Sequence, residues 1–203
     1  MAALFETMRL DCGQFVRERY HRDRLARSCQ ALGYPFDAER WHETLKMIAA
    51  QYSDIAYRVR VEWHATGEVT HTIAPLPNKE KFTAQLCLQM PNVPTWKVIN
   101  KTTARDFLAH DHETDVVLFY DASGKILEFD IGNVVIKTGD TYVTPKYNDD
   151  FLRGCMRQAM IDEGQLVEKD IDVATFISQL KRGEIEVFMI NSLRGLVAVQ
   201  FYL

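Results

Sequence analysis

The stretch "AYRVRVEWH", residues 56–64, is where the chain changes period. Tyr57, Val59, Val61 and Trp63 fall on one side of an extended backbone, and Arg58, Arg60, Glu62 and His64 on the other, because successive strand side chains point to opposite faces. This predicts a strand with one apolar and one charged face. Before it the spacing is helical. Leu25, Cys29 and Leu32 recur between Tyr20 and Leu32, and Gly33 followed by Pro35 supplies a stop. Asp37 can cap a second helix, in which Trp41, Leu45, Ile48 and Tyr52 form one stripe. After the strand, "ATGE" turns the chain into "VTHTI", and "FTAQLCLQM" alternates again. Residues 1–90 therefore read as a small α+β domain built on an antiparallel sheet.

"PNVPTW", residues 91–96, has two prolines in six residues and reads as a linker. Beyond it, residues 97–203 read as a larger, sheet-rich domain. Short strands are expected at "DVVLFYD", "ILEFDI", "NVVIK" and "YVTP", helices at "GCMRQAMIDE" and "VATFISQLKRG", and closing strands at "EVFMIN" and "LVAVQFYL". There is no internal repeat and no low-complexity segment.

At 203 residues, 47% hydrophobic and 26% charged, the chain can bury one large or two small cores. A net charge of −4 without long like-charge blocks gives no support to a nucleic-acid or membrane partner, so any anion site must be local. Cys12, Cys29, Cys87 and Cys155 are scattered without a CxxC pair, which argues against a zinc site or a disulfide framework. The opening "MAALFETMRL" carries Glu6 and lacks the apolar core of a signal peptide, and no run approaches membrane-spanning length. A reducing, cytoplasmic setting is expected.

Three features of the second half suggest a cofactor: Lys101 in "VINKTTARDF", Glu128, and a helix start at Gly154. A partly desolvated lysine can form a Schiff base with an aldehyde, as pyridoxal phosphate chemistry requires, and an acid beside the ring nitrogen keeps that ring an electron sink. The phosphate needs backbone N–H groups, which the first turn of a helix supplies; Gly154 admits close approach, and the amides of Cys155 and Met156 follow it. Taken singly, each has a plainer reading as a solvated lysine, an exposed strand glutamate or a cap glycine.

"FETMRL", "HRDRLARS", "NKTTARD", "LEFDIGNVVI", "YVTP", "RGCMRQ" and "INSLRG" together resemble, in this order, the fold-type IV pyridoxal phosphate enzymes, or class IV aminotransferases. The likeness runs from residue 4 to about 200, and within the family it is nearest to the 4-amino-4-deoxychorismate lyases. It implies a two-domain α+β fold and a homodimer acting on a small-molecule substrate, with aminodeoxychorismate synthase as functional partner. Residue by residue, it makes Lys101 the Schiff-base lysine and acid/base, and Glu128 the partner of the pyridine nitrogen. Arg24, in the "H-x-x-R-L" of residues 21–25, becomes the phosphate-binding arginine; Cys155 and Met156 after Gly154 hold the phosphate, and Ser192 adds a phosphate or substrate contact. Asn133 sits at the family's asparagine, ordering strand and loop. Arg194, then Arg9 or Arg105, would meet substrate carboxylates.

The resemblance has departures. Phe5 stands almost first, so the family's usual opening strand pair and Asp-Arg segment are expected to be missing, and Val134 replaces the aromatic residue that often follows the asparagine. Lys101 and Glu128 are also closer in sequence than the family pattern, which keeps Lys97 as an alternative, although the local Lys-Thr-Thr signature favours Lys101. The resemblance implies a lyase forming 4-aminobenzoate and pyruvate for folate synthesis. A transaminase of D- or branched-chain amino acids and a shortened, non-catalytic binder of the cofactor or a metabolite remain as alternatives.

Overall fold

The computed structural model describes residues 2–111 and 113–202. The chain divides into two units, one running to Asn78 together with Asn100–Ala104, the other formed by Lys79–Ile99 and Arg105 onward.

In the smaller unit, β1 (Leu4–Asp11) lies between β2 (Gln14–Phe15) and β3 (Tyr57–Trp63), and β4 (Val69–Pro75) forms the outer edge; all pairings are antiparallel. The alternation in β3 is realised, with Val59, Val61 and Trp63 buried. They pack with α1 (Glu18–Leu32) and α2 (Ala38–Gln51) around Leu25, Cys29, Trp41, Leu45 and Ile48. α1 ends at Gly33, whose φ of 70° lets its N–H turn back to the carbonyls of Cys29 and Gln30. α2 begins where Asp37 accepts the N–H groups of Glu39 and Arg40, both at 3.0 Å.

The larger unit closes a sheet on itself. β5 (Lys81–Leu88), β6 (Val116–Tyr120), β7 (Ile126–Phe129), β8 (Gly132–Thr138), β11 (Glu186–Asn191) and β12 (Gly195–Phe201) pair around a ring. Strand β8 makes closure possible: its first residues pair with β7, its last with β9 (Thr141–Thr144), and its other edge with β11. β10 (Val167–Glu168) extends β9. Such closure removes the open edges that an unclosed sheet would expose. β6 reads as an unbroken apolar run because both of its faces are covered: Val116 and Leu118 join the main core, while Val117 and Phe119 join Val98 and Phe107 near α3 (Thr95–Ile99). α4 (Cys155–Asp162) follows a loop after β9, and α5 (Val173–Lys181) sends Phe176 into the main core. Leu203, the last residue of the expected closing strand, lies outside the described residues.

The division differs from the expected one in three places, the first being that "PNVPTW", expected as the linker, lies inside the larger unit. "FTAQLCLQM" is β5, a strand of the larger unit pairing in parallel with β6 and β12, rather than part of the small antiparallel sheet. Alternation shows that a segment is a strand and says nothing of its neighbours. Lys101, expected in the larger domain, belongs to the smaller unit, because the chain returns at residues 101–103 to pair with β1.

Candidate active site

In the smaller unit the sequence-predicted residues gather on β1. The N–H of Phe5 donates to the Lys101 carbonyl at 2.8 Å, Leu4 bridges Thr102, and the N–H of Thr103 donates to the Ala3 carbonyl at 2.8 Å. Lys101 Nζ lies 4.7 Å from the centre of the Phe5 ring, and the Arg60 guanidinium carbon 3.7 Å from the same ring. The next residue, Glu6, occupies the inward row with Leu4, Met8 and Leu10 and is 1% exposed. Arg24 donates to it twice, from Nε at 2.8 Å and Nη2 at 2.5 Å, and His21 Nδ1 lies 2.7 Å from Oε2. Burial alone raises a carboxyl pKa, but the Arg24 charge and hydrogen bond, with His21, hold Glu6 down to about 2.

In the larger unit Glu128 and Asn133 face each other across β7 and β8, and each is 3% exposed. Three bonds tie the following loop to them, each 3.0 Å long: Leu152 N–H to Glu128 Oε1, Asn133 Nδ2 to the Leu152 carbonyl, and Gly154 N–H to Asn133 Oδ1. A Cβ on Gly154 would stand 2.0 Å from Asn133 Oδ1. Its φ of −66° suits any residue, so the glycine is required by space. α4 thus opens on a residue with no capping side chain, followed by the N–H groups of buried Cys155 and of Met156.

Ser192 is buried in the turn after β11, where Asn191 Oδ1 accepts the N–H groups of Leu193 at 3.1 Å and Arg194 at 2.9 Å. A Cβ on Gly195 would lie 4.0 Å from Met156 Cε, which sets this turn alongside the start of α4. Glu128, Asn133, Gly154 to Met156 and the Ser192 turn therefore form one neighbourhood. Each arginine expected at a substrate carboxylate has a neighbour of its own. The Arg194 guanidinium carbon is 5.8 Å from the Phe82 ring centre, that of Arg105 is 5.7 Å from Phe107, and Arg9 pairs with Asp11 at 2.7 Å. Lys97, on α3, holds Asp106 at 3.2 Å.

Glu6, His21 and Asn191 hold predicted site residues in place, and none was expected to. The signal for Glu6 was present: one acid interrupts an otherwise apolar alternation from Leu4 to Leu10, and His21 and Arg24 sit three apart on one helix.

Residues 3–201 match the family described as amino-transferase class IV. A protein of Schizosaccharomyces pombe, provisionally named an aminodeoxychorismate lyase, is 31% identical over 94% of this chain and 86% of its own. A structure from Mesorhizobium loti, provisionally named an amino-acid aminotransferase, superposes with a TM-score of 0.84 at 25% identity, covering 100% of both chains. A structure from Haemophilus somnus, provisionally named a 4-amino-4-deoxychorismate lyase, gives 0.74 at 20% identity, with 97% and 98% covered; at that identity the likeness shows the fold. The chain belongs to the class IV aminotransferases, a family of enzymes dependent on pyridoxal 5'-phosphate. Its fold is that of the family's fold-type IV enzymes. The residues suit that cofactor: a helix start without a capping side chain suits a phosphate, and a buried strand carboxylate lies beside the loop leading into that helix.

Proposed function

We propose that the protein is a lyase converting 4-amino-4-deoxychorismate to 4-aminobenzoate and pyruvate, a step of folate synthesis, acting in the cytoplasm as a homodimer supplied by aminodeoxychorismate synthase. The observation that carries its site is the hydrogen-bonded cluster of Glu128, Asn133, Leu152 and Gly154 at the start of α4. The choice of reaction is supported by the 31% identical yeast relative named for it.

When bound, pyridoxal phosphate supplies an aldehyde for the substrate amine and a ring that stores the electron pair left by the lost proton. In this reading Glu128 holds a proton at the ring nitrogen, and the N–H groups of Cys155 and Met156 hold the phosphate, with Ser192 beside them and Arg24 adding charge. Asn133 fixes the loop that aims Glu128 and α4. Lys101 would hold the cofactor, and its amine would serve as the base that takes the proton from the carbon bearing the substrate amine. Departure of the enolpyruvyl group, which takes up a proton to become pyruvate, would leave an aromatic ring, so the protein chiefly has to position one group that removes and returns a proton. Lys101 is preferred to Lys97 on its local Lys-Thr-Thr signature. Arg194, with Arg9 or Arg105, is assigned to the substrate carboxylates.

A second reading, transamination of D- or branched-chain amino acids, is favoured by the likeness to the Mesorhizobium loti aminotransferase. A coupled assay with chorismate, glutamine and the synthase separates the two. Release of 4-aminobenzoate and pyruvate in equal amounts above the synthase background is expected. No product from cofactor-loaded protein, with keto-acid formation from D-alanine or a branched-chain amino acid and 2-oxoglutarate, would replace the lyase by the transaminase.

A further inference from the structure

Arg157, in the first turn of α4, is 1% exposed. Its Nη2 donates to the Pro145 carbonyl at 2.8 Å and pairs with Glu168 of β10, and its guanidinium carbon lies 5.3 Å from the centre of the buried Phe151 ring. The loop between β9 and α4 is thereby gripped near its beginning and in its interior, and it is joined to β10. Arg157 Nε is buried with no acceptor among the described residues. A buried charge with an unmatched donor is a poor choice for stability alone, since a packed apolar side chain does as well or better. What arginine offers here is reach: its Nη2 meets acceptors on two separate segments while the guanidinium stands over the Phe151 ring.

The gripped loop is the one whose Leu152 N–H meets Glu128 and whose Gly154 N–H meets Asn133. Its outer side is fastened by Lys125, with Nζ 2.6 Å from Asp150 Oδ2. We infer that Arg157 is a positioning residue: by clamping the segment from Pro145 to Gly154 it fixes the orientation of the Glu128 carboxylate and of the first turn of α4. It thus sets how tightly the chain holds pyridoxal phosphate and whether the ring nitrogen keeps its proton. The inference rests on the assignment of Glu128 and α4 to that cofactor.

The test uses the whole chain stripped of cofactor and titrated with pyridoxal phosphate labelled with 15N in the ring, in wild type, Arg157→Lys, Arg157→Met and Glu168→Gln. Equilibrium affinity and the pH dependence of the ring 15N signal are read together, with far-UV circular dichroism reporting the fold. Arg157→Met is expected to weaken binding about tenfold or more and to move ring deprotonation to lower pH, with Arg157→Lys and Glu168→Gln between it and wild type. Should Arg157→Met fail to fold, the other two variants carry the test. Folded Arg157 and Glu168 variants with wild-type affinity and 15N titration overturn the inference. Glu128→Gln is measured alongside. If it too leaves the ring signal unchanged, the assignment of Glu128 falls and the inference with it; if it abolishes the protonated signal while the Arg157 variants do nothing, the inference alone fails.

Discussion

Glu6 and Glu128 are both buried strand glutamates, one in each unit, and the contacts that orient them differ. Glu6 is gripped by formal charge, a two-pronged arginine and a histidine, which brings its carboxyl down to about 2. Glu128 is oriented within its unit by a loop N–H and faced across the strand pair by an asparagine. The first arrangement commits the carboxylate to its partners, giving the small unit a fixed link between β1 and α1. The second includes a neutral donor from the loop that orients the carboxylate, which suits the role proposed for Glu128.

The largest expected effect sharpens this division by testing what β1 presents beside Glu6. Lys101→Ala should lower turnover by about 10⁴-fold and remove the visible absorption of the bound cofactor, whereas Lys97→Ala should leave both near wild type. Steady-state kinetics and a spectrum of each purified variant check it, and loss of colour in the Lys97 variant would reverse the lysine assignment. The comparison itself breaks or holds in the pair Glu6→Gln and Glu128→Gln. Glu6→Gln leaves two buried basic side chains without their counter-charge and should cost about 3–5 kcal/mol of stability in urea unfolding. Glu128→Gln keeps the acceptor for Leu152 and should cost about 1 kcal/mol or less, while slowing turnover by about 10²-fold or more. A reversal, with stability following Glu128 and activity indifferent to it, would end the proposed separation of roles.

Acid titration offers a smaller version of the same contrast. The folded pKa of Glu6, about 2, lies below its ordinary value of 4.5. Its contribution is therefore fully present above pH 4.5 and is lost as the pH falls through about 2. The amount is on the order of 3 kcal/mol. Urea midpoints from pH 6 down to 2.5 should fall steeply in the wild type and less steeply in Glu6→Gln. Equal slopes would show that other carboxylates dominate acid unfolding.

What the sequence disclosed follows the range of the forces involved. α2 was legible because Asp37 and the stripe Trp41, Leu45 and Ile48 lie within one helix, and β3 because alternation is local. The pairing of β5 was not, since its alternation fits either sheet and its partner β12 lies at the far end of the chain. Lys101 was singled out by its Lys-Thr-Thr context and by resemblance, yet its return to β1 depends on backbone bonds to Ala3 and Phe5 that no side-chain pattern encodes. Glu6 was seen only as a charge near the start of the chain. Its burial is intelligible once Arg24 and His21 are known to stand opposite it, because a carboxylate enters a core only with its counter-charge.

The smallest expected effect concerns the neutral side of the comparison. Gly154 is a glycine because Asn133 Oδ1 occupies the space that a Cβ would take, at 2.0 Å, and not because its backbone angles demand one. Gly154→Ala must therefore push the asparagine aside or lift the loop. Either response breaks the bond from Gly154 N–H, and the same movement loosens the one from Asn133 Nδ2 to the Leu152 carbonyl. About 1–2 kcal/mol of stability should be lost, with a matching decline in affinity for pyridoxal phosphate. Asn133→Ala removes the obstacle together with the bonds, so Gly154→Ala made on that background should cost almost nothing further, and the double-mutant cycle should show a coupling of about 1 kcal/mol or more. Additive losses would mean that glycine serves the helix start for some reason other than the asparagine, and that Glu128 and α4 are held independently rather than by one hydrogen-bonded loop.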